Sequence, residues 1–173
     1  MTAALAERQQ AAGGFADPMD ERLLRGAGIG RGMQVLDLDC GAGDVSLLAA
    51  KLTGPNGLVL GVDQDPAILE IARSRAHQQD LGHVYFLEAA DGPYDQGPFD
   101  AVIARHILDR AENPVTAFRN LSRLLRPGGV LALHESSPAV MQTLEKAGFA
   151  SPQLFGATIS GRPEFCVWAR KPE

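Results

Sequence analysis

Short apolar segments alternate with helix-like segments along most of this chain, and this alternation constrains the fold more than any other feature. The apolar segments are hydrophobic on both faces, as expected of strands covered from two sides. The segments between them carry apolar residues at helical spacing. Such an alternation predicts a parallel sheet with helices on both sides. The predicted strands are 33–38, 57–63, 84–88, 99–104 and 130–135, and the predicted helices are 18–25, 44–52, 66–79, 114–125 and 138–147.

The last part of the chain departs from this alternation. Two strands, at about 153–159 and 164–169, follow each other directly, and the tetrapeptide SGRP (160–163) between them is typical of a hairpin turn. The hairpin should add an antiparallel strand at one side of the sheet. The chain is therefore predicted to be an α/β protein with a doubly wound, mostly parallel seven-stranded sheet and an antiparallel strand from a C-terminal hairpin.

Length and charge are those of a globular domain that does not bind nucleic acid. The 173 residues fit one domain, predicted to span 18–173 after a loosely ordered arm at 1–17. The 16 Lys and Arg against 21 Asp and Glu give a net charge of −5. Phosphate contacts need an excess of basic residues, so this balance argues against a nucleic-acid partner.

Neither a membrane segment nor a metal site is expected from the sequence. No apolar run reaches the roughly 20 residues of a membrane span. The polar residues 7–10 stand where a signal peptide would need its apolar core, so we expect a cytoplasmic protein. The two cysteines, Cys40 and Cys166, lack the spacing of metal ligands.

A glycine-containing loop joins the first predicted strand to its helix. This glycine loop (residues 37–43, DLDCGAG) is followed by Asp44, which is placed to cap the helix. The small residues Gly41 and Gly43 let a ligand approach the backbone, and the helix start offers unpaired N–H groups. Asp63 follows Gly43 by 20 residues, an offset at which a carboxylate can bind both hydroxyls of a ribose. Together these features indicate an adenosine-containing ligand.

A nicotinamide dinucleotide is the alternative adenosine ligand, and it would make the chain an NAD-dependent oxidoreductase. It is less favoured, because the third glycine of the dinucleotide motif is Ser46 here. The glycines at 26, 28 and 30 precede the first strand, so a helix stop and a turn explain them better.

Five motifs, in order along the chain, resemble those of the class I S-adenosylmethionine-dependent methyltransferases. The resemblance covers nearly the whole chain and is strongest to small-molecule enzymes similar to those of quinone biosynthesis. It implies a Rossmann-like fold, S-adenosylmethionine as cofactor and methyl transfer to a small molecule whose acceptor atom (O, C or N) stays open. The motifs are VLDLDCGAG (35–43), GVDQDP (61–66), FDAV (99–102), LLRPGG (124–129) and EKAGF (145–149).

The resemblance also implies where the cofactor is bound. The glycine loop would surround its methionine part, Asp63 would bind the ribose hydroxyls and Gln64 would lie beside the adenine. Residues after the third strand would face the adenine edge, and those after the fourth would lead toward the methyl acceptor. The implied cofactor-binding residues are Asp37, Asp39, Cys40, Gly41, Gly43, Asp63, Gln64, Ala90, Asp91 and Arg105.

Two positions depart from the family pattern. Asp39 stands where the family has its first loop glycine, and Ala90 stands where it usually has an acid, with Asp91 one residue later. The Asp39 carboxylate would repel the cofactor's carboxylate, although it could pair with the ammonium or the sulfonium. We expect the repulsion to dominate, so that Asp39→Gly tightens cofactor binding. The departures also favour a second hypothesis, a non-catalytic protein of the same fold that binds the cofactor weakly or not at all.

Catalysis is expected to depend mainly on positioning, with a general base where the acceptor needs one. His106, just past the fourth strand, is the predicted base because imidazole titrates near neutral pH, and a capping or packing role is the alternative. Arg105 could bind an acidic acceptor but is interpreted as a solvated strand end. His134 and Glu135 point toward the same site, and His134 is the weaker candidate because strand alternation can turn it toward a helix.

The sequence offers little to cover an acceptor pocket. Many relatives have an insertion after the fifth strand, whereas only Ser136 and Ser137 separate Glu135 from the next predicted helix here. The cover would then come from residues 1–30, from the loop 91–98 or from the second subunit of a homodimer. Otherwise the site is open and suits a bulky or carrier-bound acceptor.

Overall fold

The alternation of apolar and helical segments is realised as seven strands and six helices in the part of the chain that the structure describes. The computed structural model describes residues 18–89, 97–159 and 162–173, so the predicted arm at 1–17, Ala90 and Asp91 lie outside the described residues. The strands are β1 (Gln34–Leu38), β2 (Leu58–Asp63), β3 (Val84–Glu88), β4 (Phe99–Arg105), β5 (Leu125–Glu135), β6 (Ala150–Ile159) and β7 (Arg162–Arg170). The helices are α1 (Pro18–Gly26), α2 (Asp44–Thr53), α3 (Pro66–Gln78), α4 (Ile107–Arg110), α5 (Pro114–Leu124) and α6 (Val140–Ala147).

All seven strands belong to one sheet, in the order β3-β2-β1-β4-β5-β7-β6. The first five strands in this order are parallel to one another, while β7 runs antiparallel to β5 and forms a hairpin with β6. From β1 the chain adds β2 and then β3 on one side of the sheet. It then crosses back and adds β4 on the other side of β1. The carboxyl ends of β1 and β4 therefore flank the switch point of a doubly wound sheet, where ligands bind in such folds. The predicted fold is confirmed.

Successive side chains of each central strand enter different cores, because strand side chains alternate between the two faces. Val35 and Ile103 belong to the core that α1, α2 and α3 cover. Leu36 and Val102 belong to the core covered by α5 and α6. The two cores fix the sheet from both sides, so the loops at its carboxyl edge are held on rigid strands.

Some element boundaries differ from the predicted ones for identifiable reasons. Strand β5 begins at Leu125 rather than at residue 130, because Leu125 pairs with Phe99 before a shift in register. Gly129 O also accepts a hydrogen bond from Lys171 N–H at 2.8 Å. The short helix α4 was not predicted, since four residues carry no recognisable periodicity.

The glycines before β1 end α1, as predicted. Ala27 N–H donates to Leu23 O at 2.9 Å and Ile29 N–H donates to Leu24 O at 3.0 Å, which closes the last turn of the helix. A Cβ at Gly26 would lie 2.8 Å from Cη2 of Trp168, so this glycine also allows the helix to approach β7 closely. In the described ranges, none of the helices has both the length and the apolar character needed to cross a bilayer.

Candidate active site

The glycine loop is held against the end of β2 by backbone hydrogen bonds. Cys40 N–H donates to Val62 O at 2.9 Å, and Gly43 N–H donates back to Cys40 O at 3.0 Å. Asp39, Gly41 and Gly43 all have positive φ, at 53°, 55° and 84°. The left-handed conformation at these three positions makes the loop turn sharply from β1 into α2, and it is a conformation that glycine adopts at no steric cost.

Asp63 is fixed beside the glycine loop through both of its carboxylate oxygens. Gly41 N–H donates to Oδ2 at 2.9 Å, and Asp65 N–H donates to Oδ1 at 3.0 Å. Each oxygen accepts one backbone bond and retains a lone pair for another donor. A carboxylate held in this way at the end of β2 is preorganised for a ligand that presents two hydroxyl groups.

Asp37 lies beneath the glycine loop, with its side chain 2% exposed. Ser46 Oγ on α2 donates a hydrogen bond to its Oδ2 at 2.5 Å. Burial raises the pKa of Asp37 from 3.8 to about 6, although the hydrogen bond from Ser46 and the charge of Arg105 act in the opposite direction. Asp37 therefore ties β1 to α2, and Ser46, which replaces the third glycine of the dinucleotide motif, is its partner.

The predicted cap of α2 is wrong. Gly43 occupies the cap position and no side-chain capping bond is formed there, while Asp44 is the first residue of the helix. The carboxylate of Asp44 instead lies 2.6 Å from Nη2 of Arg75 on α3. Nη1 of Arg75 also donates to Ala42 O at 2.8 Å. Arg75 thus holds the glycine loop from outside, through contacts that the sequence did not predict.

Gly43 is needed for packing as well as for its backbone angle. A Cβ at this position would lie 3.0 Å from Cζ of Phe86 and 3.1 Å from Cβ of Ala72. At Gly41 the nearest atom would be Cδ1 of Ile68, at 3.8 Å. Of the two glycines with a predicted chemical role, Gly43 therefore faces the protein and Gly41 has the more open surroundings.

A cavity of about 510 Å³ opens beside the glycine loop at the carboxyl edge of the sheet. Its volume lies within the range of small-molecule sites, about 300–1,000 Å³. The cavity brings together residues after β1, β2 and β4, as expected at a switch point. It is lined by Asp39, Asp63, Gln64, Ile107, Arg110, Ala111 and Ala117.

Asp39 forms an ion pair that the sequence did not predict. Its carboxylate is paired with Nη2 of Arg110, the last residue of α4, and both side chains are about half exposed at the rim of the cavity. Nη2 of Arg110 also donates to Arg105 O at 2.8 Å, which anchors the arginine to the end of β4. The negative charge that replaces the first loop glycine is therefore balanced by a positive one.

His106 directly follows β4, at the carboxyl edge of the sheet. Its backbone is left-handed, with φ of 51°, and its side chain is 44% exposed, with Nδ1 at 3.8 Å from Oδ2 of Asp109. His106 makes no side-chain capping bond to α4. That function belongs to the fully buried Glu135, whose two oxygens accept from Ile107 N–H at 2.8 Å and Leu108 N–H at 3.2 Å. Burial raises the pKa of Glu135.

The interpretation of Arg105 as a solvated strand end is wrong. Nη2 of Arg105 lies 3.0 Å from Oδ2 of Asp20 in the first turn of α1, and that carboxylate is 6% exposed. Nδ1 of His134 lies 3.6 Å from Oδ1 of the same aspartate, and its Nε2 lies 3.3 Å from Oε2 of Glu164 on β7. These partly buried pairs bring the start of α1 to the ends of β4 and β5. His134 is nearly buried and lies beside His106, with 5.9 Å between ring centroids.

Cys40 is buried in the core under the glycine loop. Burial raises the pKa of its thiol, and the carboxylates of Asp37 and Asp63 act in the same direction, so the thiolate is disfavoured. A packing role beneath the glycine loop therefore suits it better than nucleophilic chemistry. In the described ranges, no three His, Cys, Asp or Glu side chains form a group that could hold a metal ion.

A methyltransferase domain family matches residues 29–162, which include the glycine loop, Asp63 and the ends of β4 and β5. The chain belongs to the class I S-adenosylmethionine-dependent methyltransferases. Demethylmenaquinone methyltransferase of Staphylococcus aureus is 25% identical over 156 residues, a match that covers 87% of this chain and 64% of that relative. The chain thus spans just under two thirds of the length of the curated relatives that it matches.

Solved structures share the fold of this chain. A SAM-dependent methyltransferase from Aquifex aeolicus superposes with a TM-score of 0.73 at 20% identity, covering 96% of this chain and 97% of that one. TrmN from Thermus thermophilus superposes with a TM-score of 0.76 at 30% identity, covering 88% of this chain and 48% of that one. The similarity to the Aquifex protein extends over nearly the whole of both chains.

Proposed function

We propose that this chain binds S-adenosylmethionine in the cavity beside the glycine loop and transfers its methyl group to a small molecule. The observation that carries the proposal is the carboxylate of Asp63, fixed by Gly41 N–H and Asp65 N–H on the wall of a 510 Å³ cavity. One hydrogen bond per oxygen leaves that carboxylate able to accept two ribose hydroxyls. The residues present therefore fit the adenosine part of the cofactor.

The remaining proposed cofactor contacts lie in this cavity and in the glycine loop beside it. Gln64 lines it next to Asp63 and is proposed to lie beside the adenine. Cys40, Gly41 and the buried Asp37 shape the loop that would surround the methionine part. The proposed contacts of Ala90 and Asp91 with the adenine edge lie outside the described residues.

Methyl transfer then depends on holding the acceptor in line with the transferred group. When bound, the cofactor supplies a sulfonium methyl group, which is the electrophile. His106 is partly exposed at the end of β4 and directly precedes Ile107, which lines the cavity. We propose that its ring accepts the proton that an O–H, N–H or C–H acceptor loses as the new bond forms. Glu135 fixes the backbone that follows His106, so the ring is carried on a rigid segment.

The acceptor is proposed to be a small molecule that reaches an open face. The name of the Staphylococcus aureus relative favours a quinone-like acceptor, which is the reason to place quinones and phenols first in a panel. Asp20, which pairs with Arg105, brings the start of α1 to this face. A homodimer and a cytoplasmic location stay predictions.

Calorimetric titration with S-adenosylhomocysteine tests cofactor binding. We expect one ligand per chain, and Asp63→Ala should weaken binding on the order of 100-fold, because two charge-assisted hydrogen bonds are lost. Glu70→Gln is the matched control, since Glu70 is an exposed carboxylate on α3 that pairs with Arg73. Equal affinities for Asp63→Ala and the control would contradict the proposal.

Turnover with methyl-labelled cofactor on phenols, quinones and amines tests the reaction. For an acceptor that must lose a proton, His106→Asn should lower kcat on the order of 100-fold and leave S-adenosylhomocysteine affinity unchanged. His77→Asn, an exposed histidine on α3, is the control. Unchanged kcat in His106→Asn would remove the proposed base.

The second candidate function is a non-catalytic protein of the same fold, and Asp39 is the observation that favours it. A carboxylate replaces the first loop glycine at the rim of the cavity. Binding of S-adenosylhomocysteine without labelling of any acceptor would support this candidate, whereas one labelled acceptor excludes it.

A further inference from the structure

The backbone conformation of Asp39 explains why the family has a glycine at this position and why this chain can have an aspartate there. Its φ of 53° lies in the left-handed region. Aspartate and asparagine enter that region more readily than other residues with a side chain. The loop can therefore keep its path while it presents a carboxylate at the rim of the cavity.

Arg110 lines the same cavity and pairs with that carboxylate. Its guanidinium pairs with Asp39 and is anchored by the hydrogen bond that Nη2 donates to Arg105 O at 2.8 Å. In the described part of the chain, both contacts involve Nη2, so Nη1 and Nε retain their donors. The exposed fractions of the two side chains, 45% for Asp39 and 52% for Arg110, leave surface on each for a ligand.

We propose that Asp39 and Arg110 together bind the zwitterionic amino-acid end of the cofactor. The Asp39 carboxylate takes the ammonium, and the Arg110 guanidinium takes the carboxylate. This inference rests on the proposed function, because it assigns a part of the same ligand. Both charges of the ligand meet an opposite charge on the protein, and guanidinium is the donor group that matches a carboxylate in geometry.

The pairing reverses the effect expected of Asp39→Gly from the sequence. Repulsion of the ligand's carboxylate was expected from an unbalanced Asp39, but Arg110 supplies the balancing charge. Removal of Asp39 takes away the partner of the ammonium and one of the two contacts that position Arg110. Asp39→Gly should therefore weaken binding of the cofactor rather than tighten it.

Two ligands that differ only in the amino-acid end separate this effect from a general loss of binding. S-adenosylhomocysteine carries the zwitterion, and 5′-methylthioadenosine lacks it while keeping the adenosine and the sulfur. In calorimetric titrations, Arg110→Gln should weaken S-adenosylhomocysteine binding by about 10- to 100-fold and change 5′-methylthioadenosine binding less than threefold. Arg110→Lys should retain an intermediate affinity, because one point charge replaces the planar guanidinium.

Variants of Asp39 and of an arginine outside the cavity complete this set of titrations. Asp39→Asn, which tolerates the same φ, and Asp39→Gly should each lower S-adenosylhomocysteine affinity about tenfold with little effect on 5′-methylthioadenosine. Arg123→Gln on α5, where Arg123 bonds the side chain of Asn120, is the matched control and should change neither affinity.

Three outcomes would overturn the inference. Tighter binding of S-adenosylhomocysteine to Arg110→Gln or Asp39→Asn would show that the ion pair closes the site against the ligand. Equal losses for both ligands would show that the pair only supports the loop. Wild-type protein that binds neither ligand would overturn the proposed function itself, and this result is distinct from the other two.

Discussion

The two halves of the carboxyl edge of this sheet are built in different ways. At the ends of β1 and β2, backbone N–H groups fix the carboxylate of the site: Gly41 and Asp65 donate to Asp63, and both lie within 22 residues of it. At the ends of β4 and β5, side chains hold the site: Arg105 pairs with Asp20, 85 residues away. The first half is a local turn motif, and we propose that it binds the cofactor that all acceptors would share. The second half is an assembly of distant side chains, which can vary with the acceptor.

The largest expected effect on the first half, at the ends of β1 and β2, comes from adding a methyl group at Gly43. Gly43→Ala combines a left-handed backbone with a Cβ at 3.0 Å from Phe86, so we expect a loss of about 2–4 kcal/mol in the free energy of unfolding. Gly128→Ala is the matched control, because Gly128 also has positive φ, 71°, and a Cβ there has no atom within 4 Å. Urea denaturation should show a loss of only about 1–2 kcal/mol in the control. Equal losses would contradict the packing role of Gly43.

A smaller and pH-dependent effect is expected at Asp37, beneath the same half. Because burial raises the pKa of Asp37 from 3.8 to about 6, the folded protein holds this proton to higher pH than the unfolded chain does. The wild-type free energy of unfolding should therefore decrease as pH rises from about 4 to 6, by at most about 3 kcal/mol from this group.

Asp37→Asn should remove that decrease, since an amide oxygen still accepts the hydrogen bond from Ser46. We expect the variant to be more stable than wild type by about 2–3 kcal/mol above pH 7, with the difference vanishing near pH 4. Denaturation curves across this pH range measure it. A constant difference, or a difference that grows toward low pH, would show that Asp37 ionises normally in the folded state.

The smallest expected effect concerns the second half, at the ends of β4 and β5. Glu135→Gln replaces one of the two acceptors that bind Ile107 N–H and Leu108 N–H with a donor. Hydrogen exchange at one or both of these amides should accelerate about tenfold, corresponding to roughly 1–2 kcal/mol of local stability. The amides of Gly41 and Asp65 should exchange as in wild type, because Asp63 holds them independently. Faster exchange at all four amides would mean that the two halves are not separate.

The difference between the halves also explains what could be predicted from the sequence. The glycine loop, Asp63 and the hairpin are local patterns with fixed spacing, and the strands can be recognised in the sequence as apolar runs. The contacts of Arg110, Arg75 and Glu135 depend on which helix ends and strand ends meet in three dimensions, and no local pattern encodes them. Exposure of Arg105 was inferred from its position at a strand end, and its pairing with Asp20 required knowledge of where α1 packs.

The most direct test of the central claim is an amide chemical-shift titration of the full chain with S-adenosylhomocysteine. The account predicts that the largest shifts occur at Cys40, Gly41, Gly43 and Asp65, which are the amides of the glycine loop and of the segment that fixes Asp63. The amide signals of Gly129 and Lys171, which are hydrogen-bonded to each other toward the opposite end of β5, should not shift. A separate cavity of about 500 Å³ lies along β3 and α3, beside Tyr85 and Leu87. Shifts confined to that cavity, or no shifts at all, would contradict the claim that the glycine loop and Asp63 bind the cofactor.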